Sequence, residues 1–168
     1  VILGRGRLEK KLRQLCHRLG VYAHVDMPGF ASNPYAYMSK ASVFTLSSAW
    51  EGLGNVLVEA MALGTPVVST NCPFGPEEVL DNGRYGPLVP VGDHRAMAEA
   101  ILQTLAAPPE KETLKKAVSR YTLENSAAAY LSALGLGQYN FRPGSSKDIS
   151  ETGLLSGNKK YLNNCQIS

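Results

Sequence analysis

The sequence predicts an α/β fold, a Rossmann-like parallel sheet with helices on both faces. Three observations carry that expectation. The stretch from Glu51 to Ser69 runs loop, helix, turn and β-branched strand, which is half of a parallel α/β unit. Elsewhere, short β-branched runs alternate with segments whose apolar residues recur at three- and four-residue steps. The chain has 168 residues, 44% of them hydrophobic and 18% charged, which suits one soluble globular domain with a real core.

In chain order, Val1-Ile2-Leu3 reads as a short buried strand and Gly4-Arg5-Gly6 as a tight turn. Arg7 to Leu19 reads as a helix whose apolar face is Leu8, Leu12, Leu15, Cys16 and Leu19, with Gly20 as its stop. The Gly-x-Gly turn invites a dinucleotide reading, but Glu9 stands where that fingerprint has its third glycine. The turn is therefore expected to line a cleft as plain strand-to-helix geometry, with phosphate contact as the rarer alternative. Val21 to Val25 is expected to be a strand, followed by the turn Met27-Pro28-Gly29-Phe30 and a short helix from Asn33-Pro34-Tyr35 to Lys40. Val43-Phe44-Thr45-Leu46 is the next strand and leads into Ser47-Ser48 and Glu51. In such sheets ligands gather beyond the carboxyl ends of strands, so Glu51 is placed at a functional edge by topology. Trp50 beside it is read first as a packing residue and second as a substrate platform.

Past the strand Pro66 to Ser69, a turn-rich loop from Asn71 to Pro76 precedes a short helix, Glu77 to Leu80. Glu77 and Glu78 are read as helix-start acids, since a helix N-terminus attracts negative charge. Asp81-Asn82-Gly83 is turn chemistry. The run Tyr85 to Pro90 reads as a further short strand, followed by a helix with Asp93 as N-cap and Met97, Ile101, Leu102 and Leu105 as its apolar face. Glu112 to Arg120 and Glu124 to Leu134 complete the helices. From residue 137 onward apolar periodicity is lost, and the tail 137–168 is expected to be flexible or irregular.

Composition removes several classes. A net charge of +3 with scattered basic residues does not suggest nucleic acid. Cys16, Cys72 and Cys165 lack paired spacing, which argues against a zinc site or disulfide framework and for a reducing compartment. No apolar run approaches the ~18 residues of a membrane span, and the first residues lack the long apolar centre of a signal peptide. His17, His24 and His94 lie on different predicted elements without a nucleophile motif, so a hydrolytic triad has no support. The start on Val1, inside a strand-like run, reads as a cut.

The chemistry concentrates in Glu51-Gly52-Leu53-Gly54-Asn55-Val56 and Glu59. Gly52 and Gly54 allow close backbone approach, and the free N–H groups of a helix starting near Asn55 make an anion site. A phosphate there would have Glu51 beyond one end and Glu59 one turn into the helix. Carboxylates repel phosphate and accept from hydroxyls, so the pair suits a phosphate that carries hydroxyl-rich groups.

Glu51, seven residues, Glu59, then Ala60-Met61-Ala62-x-Gly64-x-Pro66-Val67-Val68 resembles the nucleotide-sugar signature of retaining GT-B glycosyltransferases. The group is often called glycosyltransferase family four, or "glycosyl transferases group 1", and the resemblance runs from about Val1 to about Leu136. It implies a nucleotide-sugar-binding C-terminal lobe over 1–136, with a first strand, a cationic phosphate clamp and an N-terminal acceptor domain lying upstream. It implies transfer of a sugar, with retention of configuration, from a nucleoside-diphosphate sugar, expected to be a UDP-sugar, to a glycan or lipid-linked saccharide. By resemblance Glu51 is catalytic, holding a sugar hydroxyl at the reaction face. Glu59 takes the ribose, Leu53, Gly54, Asn55 and Val56 bind the diphosphate, and Gly29 and Phe30 lie beside the base. No metal or other cofactor is implied, no nucleic-acid partner is expected, and the location expected is cytoplasmic, with the longer enzyme peripheral at the inner membrane face. The isolated chain is expected to be inactive. The alternatives are a non-catalytic nucleotide-sugar-binding module, a sugar-phosphate epimerase of related fold, and an α/β scaffold whose glutamates are merely solvated.

Overall fold

The computed structural model describes residues 1–135, in two units. The first, Val1–Thr122, carries the sheet. Its elements are α1 (Glu9–Arg18), a 3-10 turn at Tyr22–His24, α2 (Tyr35–Met38), β1 (Phe44–Leu46), α3 (Asn55–Ala62), β2 (Val67–Thr70), α4 (Pro76–Val79), β3 (Leu88–Val89), α5 (His94–Ala106), α6 (Lys111–Ala117) and a 3-10 turn at Ser119–Tyr121. Among the described residues no helix is long and apolar enough to cross a membrane. The predicted tail, and the predicted boundary after Leu136, fall outside the described residues.

The ladder is parallel throughout, in the order β1-β2-β3. Phe44, Thr45 and Leu46 pair with Val67, Val68 and Ser69, and Ser69 and Thr70 pair with Leu88 and Val89. Parallel neighbours require crossovers, here α3 between β1 and β2 and α4 between β2 and β3. Every residue of β2 is buried, as expected for a central parallel strand covered on both faces.

Strand alternation splits the apolar residues between two layers. On one face Val67, with Phe44, Leu46 and Leu88, packs against Met38, Leu57, Ala60, Met61, Val79, Leu80 and Leu114. On the other, Val68 and Val89 meet Ala96, Met97, Ala100 and Ile101 of α5. The expectation of helices on both faces therefore holds. The contact stripe of α5 differs in part from the expected one. Met97, Ala100, Ile101 and Thr104 face inward, while Leu102 and Leu105 are exposed. Ala100 packs on the two valines, and the buried Thr104 hydroxyl is satisfied by the Ala100 carbonyl at 2.8 Å. Asp93 caps α5 as expected, accepting from the N–H groups of Arg95 (3.1 Å) and Ala96 (2.9 Å).

The expected strand at Val21–Val25 is not formed. Gly20 ends α1 in a Schellman closure, with the Gly20 N–H on the His17 carbonyl (3.0 Å) and the Val21 N–H on the Cys16 carbonyl (2.9 Å). Val21 is thereby spent on closing the helix. The chain then curls into the 3-10 turn, with Tyr22 stacked on His17 at 3.9 Å. Extended pairing is delayed to a parallel bridge between Leu3 and Gly29. Of the predicted apolar face of α1, Cys16 is buried while Leu8, Leu12, Leu15 and Leu19 stay exposed.

The second unit starts at Leu123, and its described part is α7 (Leu123–Ala133). The helix closes with the Leu134 N–H on the Tyr130 carbonyl and the Gly135 N–H on the Ser132 carbonyl.

Candidate functional site

Two loops leave the carboxyl edge of the sheet side by side, one after β1 and one after β2. The first runs from Ser47 to Gly54 and delivers α3. Gly54 is the N-cap of α3 at φ +75°, ψ +48°, a left-handed conformation that a side chain rarely tolerates. With no side chain at the cap, α3 has no side-chain capping acceptor and no acid in its first turn, and the Leu57 N–H turns back to the Gly54 carbonyl at 2.9 Å. By contrast α5 uses Asp93 for that task, and α4 carries Glu77 and Glu78 in its first turn. The start of α3 is thus left electropositive at the sheet edge.

Glu59 lies one turn into α3 and is half-buried. The Tyr35 hydroxyl donates to its Oε1 at 3.5 Å. Tyr35 reaches it because α2 is fastened beside α3. Asn33 accepts from the Ala36 N–H (3.3 Å), and the buried Thr65 hydroxyl donates to the Met38 carbonyl (2.8 Å). Glu51 is also half-buried and accepts from the Ser48 hydroxyl at 2.6 Å. Leu53, Gly54, Asn55 and Val56 follow it after Gly52, so the structure gathers these positions, Glu51 and Glu59 on one loop-helix junction. Gly29 and Phe30 are placed by other contacts. Gly29 closes the bridge with Leu3 beside the Arg5 side chain, and Phe30 is 72% exposed.

The second loop holds the first in place. An added Cβ on Gly75 would fall on the carbonyl group of Leu53 and 2.8 Å from its Cα, so the two backbones are in direct contact. Phe74, next to it, has φ +62° and is 80% exposed. Trp50 is 70% exposed, so its primary reading as a packing residue fails. Glu78 is tied to the body of the unit, since its carbonyl accepts from Arg120 (2.8 Å) and its carboxylate from the Tyr121 hydroxyl (3.3 Å). Its helix-start reading fits that position. A cavity of about 240 Å³ lies elsewhere. It opens at the amino ends of β2 and β3, between Val67, Gly83–Pro87 and Gln103–Pro109, away from both glutamates.

Comparison with known proteins assigns the chain to a family. The family profile described as glycosyl transferases group 1 matches residues 1–121. The chain belongs to that family. Among curated relatives, the N-acetylgalactosamine-N,N'-diacetylbacillosaminyl-diphospho-undecaprenol 4-alpha-N-acetylgalactosaminyltransferase of Campylobacter jejuni subsp. jejuni serotype O:2 is 33% identical over 138 residues. That alignment covers 78% of this chain and 38% of the relative. Among solved structures, the lipopolysaccharide outer core galactosyltransferase WaaB in its apo form superposes with a TM-score of 0.69 at 23% identity, over 79% of this chain and 40% of that one. Anabaena HepE in complex with UDP superposes with a TM-score of 0.62 at 25% identity, over 74% of this chain and 36% of that one. The chain spans about two fifths of the length of these relatives. In this family member the sheet has the expected GT-B fold, and the Glu51–Glu59 junction lies at its carboxyl edge.

Ser48, Tyr35, Thr70 and Gly75 were missed as site residues. Ser48 stands three positions before Glu51, a spacing at which serine often bonds a neighbouring acid, so a local signal existed. The approach of Gly75 to Leu53 joins residues from different loops and has no local signal.

Proposed function

We propose that the chain is the donor-binding lobe of a retaining glycosyltransferase that uses a UDP-sugar. The observation carrying this reading is the junction itself: a helix start at Gly54–Val56 without a side-chain cap, between two half-buried glutamates, Glu51 and Glu59. In the proposal the N–H groups of Leu53 to Val56 take the diphosphate. The oriented donors stabilise charge as it builds on the leaving group. Glu59 accepts from the ribose hydroxyls, and Glu51 from a hydroxyl of the transferred sugar, fixing the anomeric carbon for reaction. Gly29 and Phe30 flank the base. Donor binding and transfer use no metal.

A UDP nucleotide is favoured because Anabaena HepE was solved with UDP. An acceptor that is a glycan or lipid-linked saccharide is favoured by the Campylobacter relative, whose name places its action on a diphospho-undecaprenol-linked sugar. An acceptor-binding lobe in the longer enzyme, cytoplasmic placement at the inner membrane face, and inactivity of the 168-residue chain by itself belong to the same proposal.

Retention is tested on the longer enzyme by its slow hydrolysis of an α-linked UDP-sugar, with water in place of the acceptor. The first anomeric proton signal to rise is expected to be that of the α-sugar, before mutarotation. A first-formed β-sugar would contradict retention, and no release of UDP would favour a binding module without turnover.

A further inference from the structure

We infer that Ser48 is a positioning residue for Glu51, anchored in turn by Thr70. The inference rests on the proposed role of Glu51 and names the device that sets it. At 2.6 Å, the bond from the Ser48 hydroxyl to Glu51 Oε1 lies in the short range of hydroxyl-to-carboxylate hydrogen bonds. The same serine is held from behind. The Thr70 hydroxyl donates to the Ser48 carbonyl at 2.6 Å, and the Leu46 carbonyl lies 3.4 Å from the same hydroxyl. Thr70 is the last residue of β2, is 3% exposed and pairs with Val89 of β3. The chain of contacts therefore runs from the buried carboxyl end of the central strand, through the loop backbone at Ser48, to one oxygen of a half-buried carboxylate.

A glutamate on a loop has several rotamers, and holding it in one is an entropic cost met before the ligand arrives. The Ser48 bond fixes Oε1 and leaves Oε2 for a sugar hydroxyl. A site on a loop gains precision when a supporting hydrogen bond ties it to a strand, which is what Thr70 supplies. Neither Ser48 nor Thr70 touches the sugar in this account. Both act through Glu51.

The test measures, for the 168-residue chain, the ratio of the Kd for UDP to the Kd for a UDP-sugar. UDP-glucose, UDP-galactose and their N-acetyl forms serve as probes, and the one giving the highest ratio is carried forward. Ser48→Ala is expected to lower the ratio about five- to thirtyfold with the UDP affinity unchanged, the loss of one hydrogen bond's worth of sugar orientation. Ser48→Thr keeps the hydroxyl and should restore the ratio, and the melting temperatures of both variants should stay within a few degrees of the parent. Glu51→Ala is run beside them. If it lowers the ratio while Ser48→Ala leaves it intact, the positioning role is overturned and the role of Glu51 stands. If Ser48→Ala weakens UDP and UDP-sugar equally, the serine holds the loop rather than the carboxylate, and the inference fails. If Glu51→Ala itself leaves the ratio unchanged, the proposed role of Glu51 falls, and with it any positioning of that role.

Discussion

Replacing Gly75 by alanine is expected to destabilise the sheet-bearing unit by about 2–5 kcal/mol, a fall in melting temperature of about 6–15 °C. Two costs combine at this position. The backbone has φ +85° and ψ −67°, a strained region for any residue with a side chain. The new methyl group would also occupy the space of the Leu53 carbonyl, which is backbone and has no rotamer to move into. Relief requires the loop after β2 to withdraw from the loop after β1, so nucleotide binding should weaken along with stability. Gly92 supplies the control. It has φ +84° with nothing within 4 Å of an added Cβ, so Gly92→Ala carries strain without collision. It should cost only ~1 kcal/mol. Thermal melts of the two variants separate the effects, and equal losses would show that the loops do not bear on each other.

Glu59→Ala and Glu51→Ala are expected to fail in different ways. In the proposal Glu59 bonds the ribose, which UDP and a UDP-sugar share. Its loss should weaken both ligands by ~1.5–3 kcal/mol, about ten- to hundredfold in Kd. Glu51 contacts only the transferred sugar, so Glu51→Ala should leave the Kd for UDP nearly unchanged. In the longer enzyme it should lower kcat more than it raises KM, the mark of an interaction made in the transition state. Calorimetric titration of the two variants with UDP reads the difference. Equal weakening of UDP by both would remove the division of roles.

Much of this arrangement was legible in the sequence. The run Glu51 to Ser69 announced its loop, helix, Gly64 stop and strand, because each step rests on local chemistry. Gly64 closes α3 by a Schellman pair, with its own N–H on the Met61 carbonyl and the Thr65 N–H on the Ala60 carbonyl, both at 2.9 Å. The central strand was legible because burial on both faces leaves an unbroken apolar run at Val67-Val68. The failure at Val21–Val25 has a local cause as well. Its β-branched residues favour extension, but Gly20 commits Val21 to closing α1, and capping prevails over propensity. The face of α5 was misjudged by size. Leucines were expected inside, yet the small Ala100 packs against Val68 and Val89 while Leu102 and Leu105 stay exposed, and the size a contact admits is not written in periodicity.

At the candidate site, residue types and spacing named Glu51, Glu59 and the Gly54–Val56 turn. Their supports were out of reach for a different reason. Tyr35 on Glu59, Thr70 on Ser48 and Gly75 on Leu53 join positions separated by 24, 22 and 22 residues. Such contacts exist only once the parallel crossovers have stacked α2 beside α3 and the loop after β2 beside the loop after β1.

The most direct test is an amide ¹H–¹⁵N NMR titration of the 168-residue chain with UDP, read residue by residue. Saturable shifts are expected at Leu53, Gly54, Asn55 and Val56, with smaller ones at Glu59 and Tyr35, and the Leu53–Val56 response should persist in Glu51→Ala. Saturable shifts confined to other parts of the chain, such as the cavity at the amino ends of β2 and β3, or no shifts at millimolar UDP, would contradict a diphosphate seat at the start of α3.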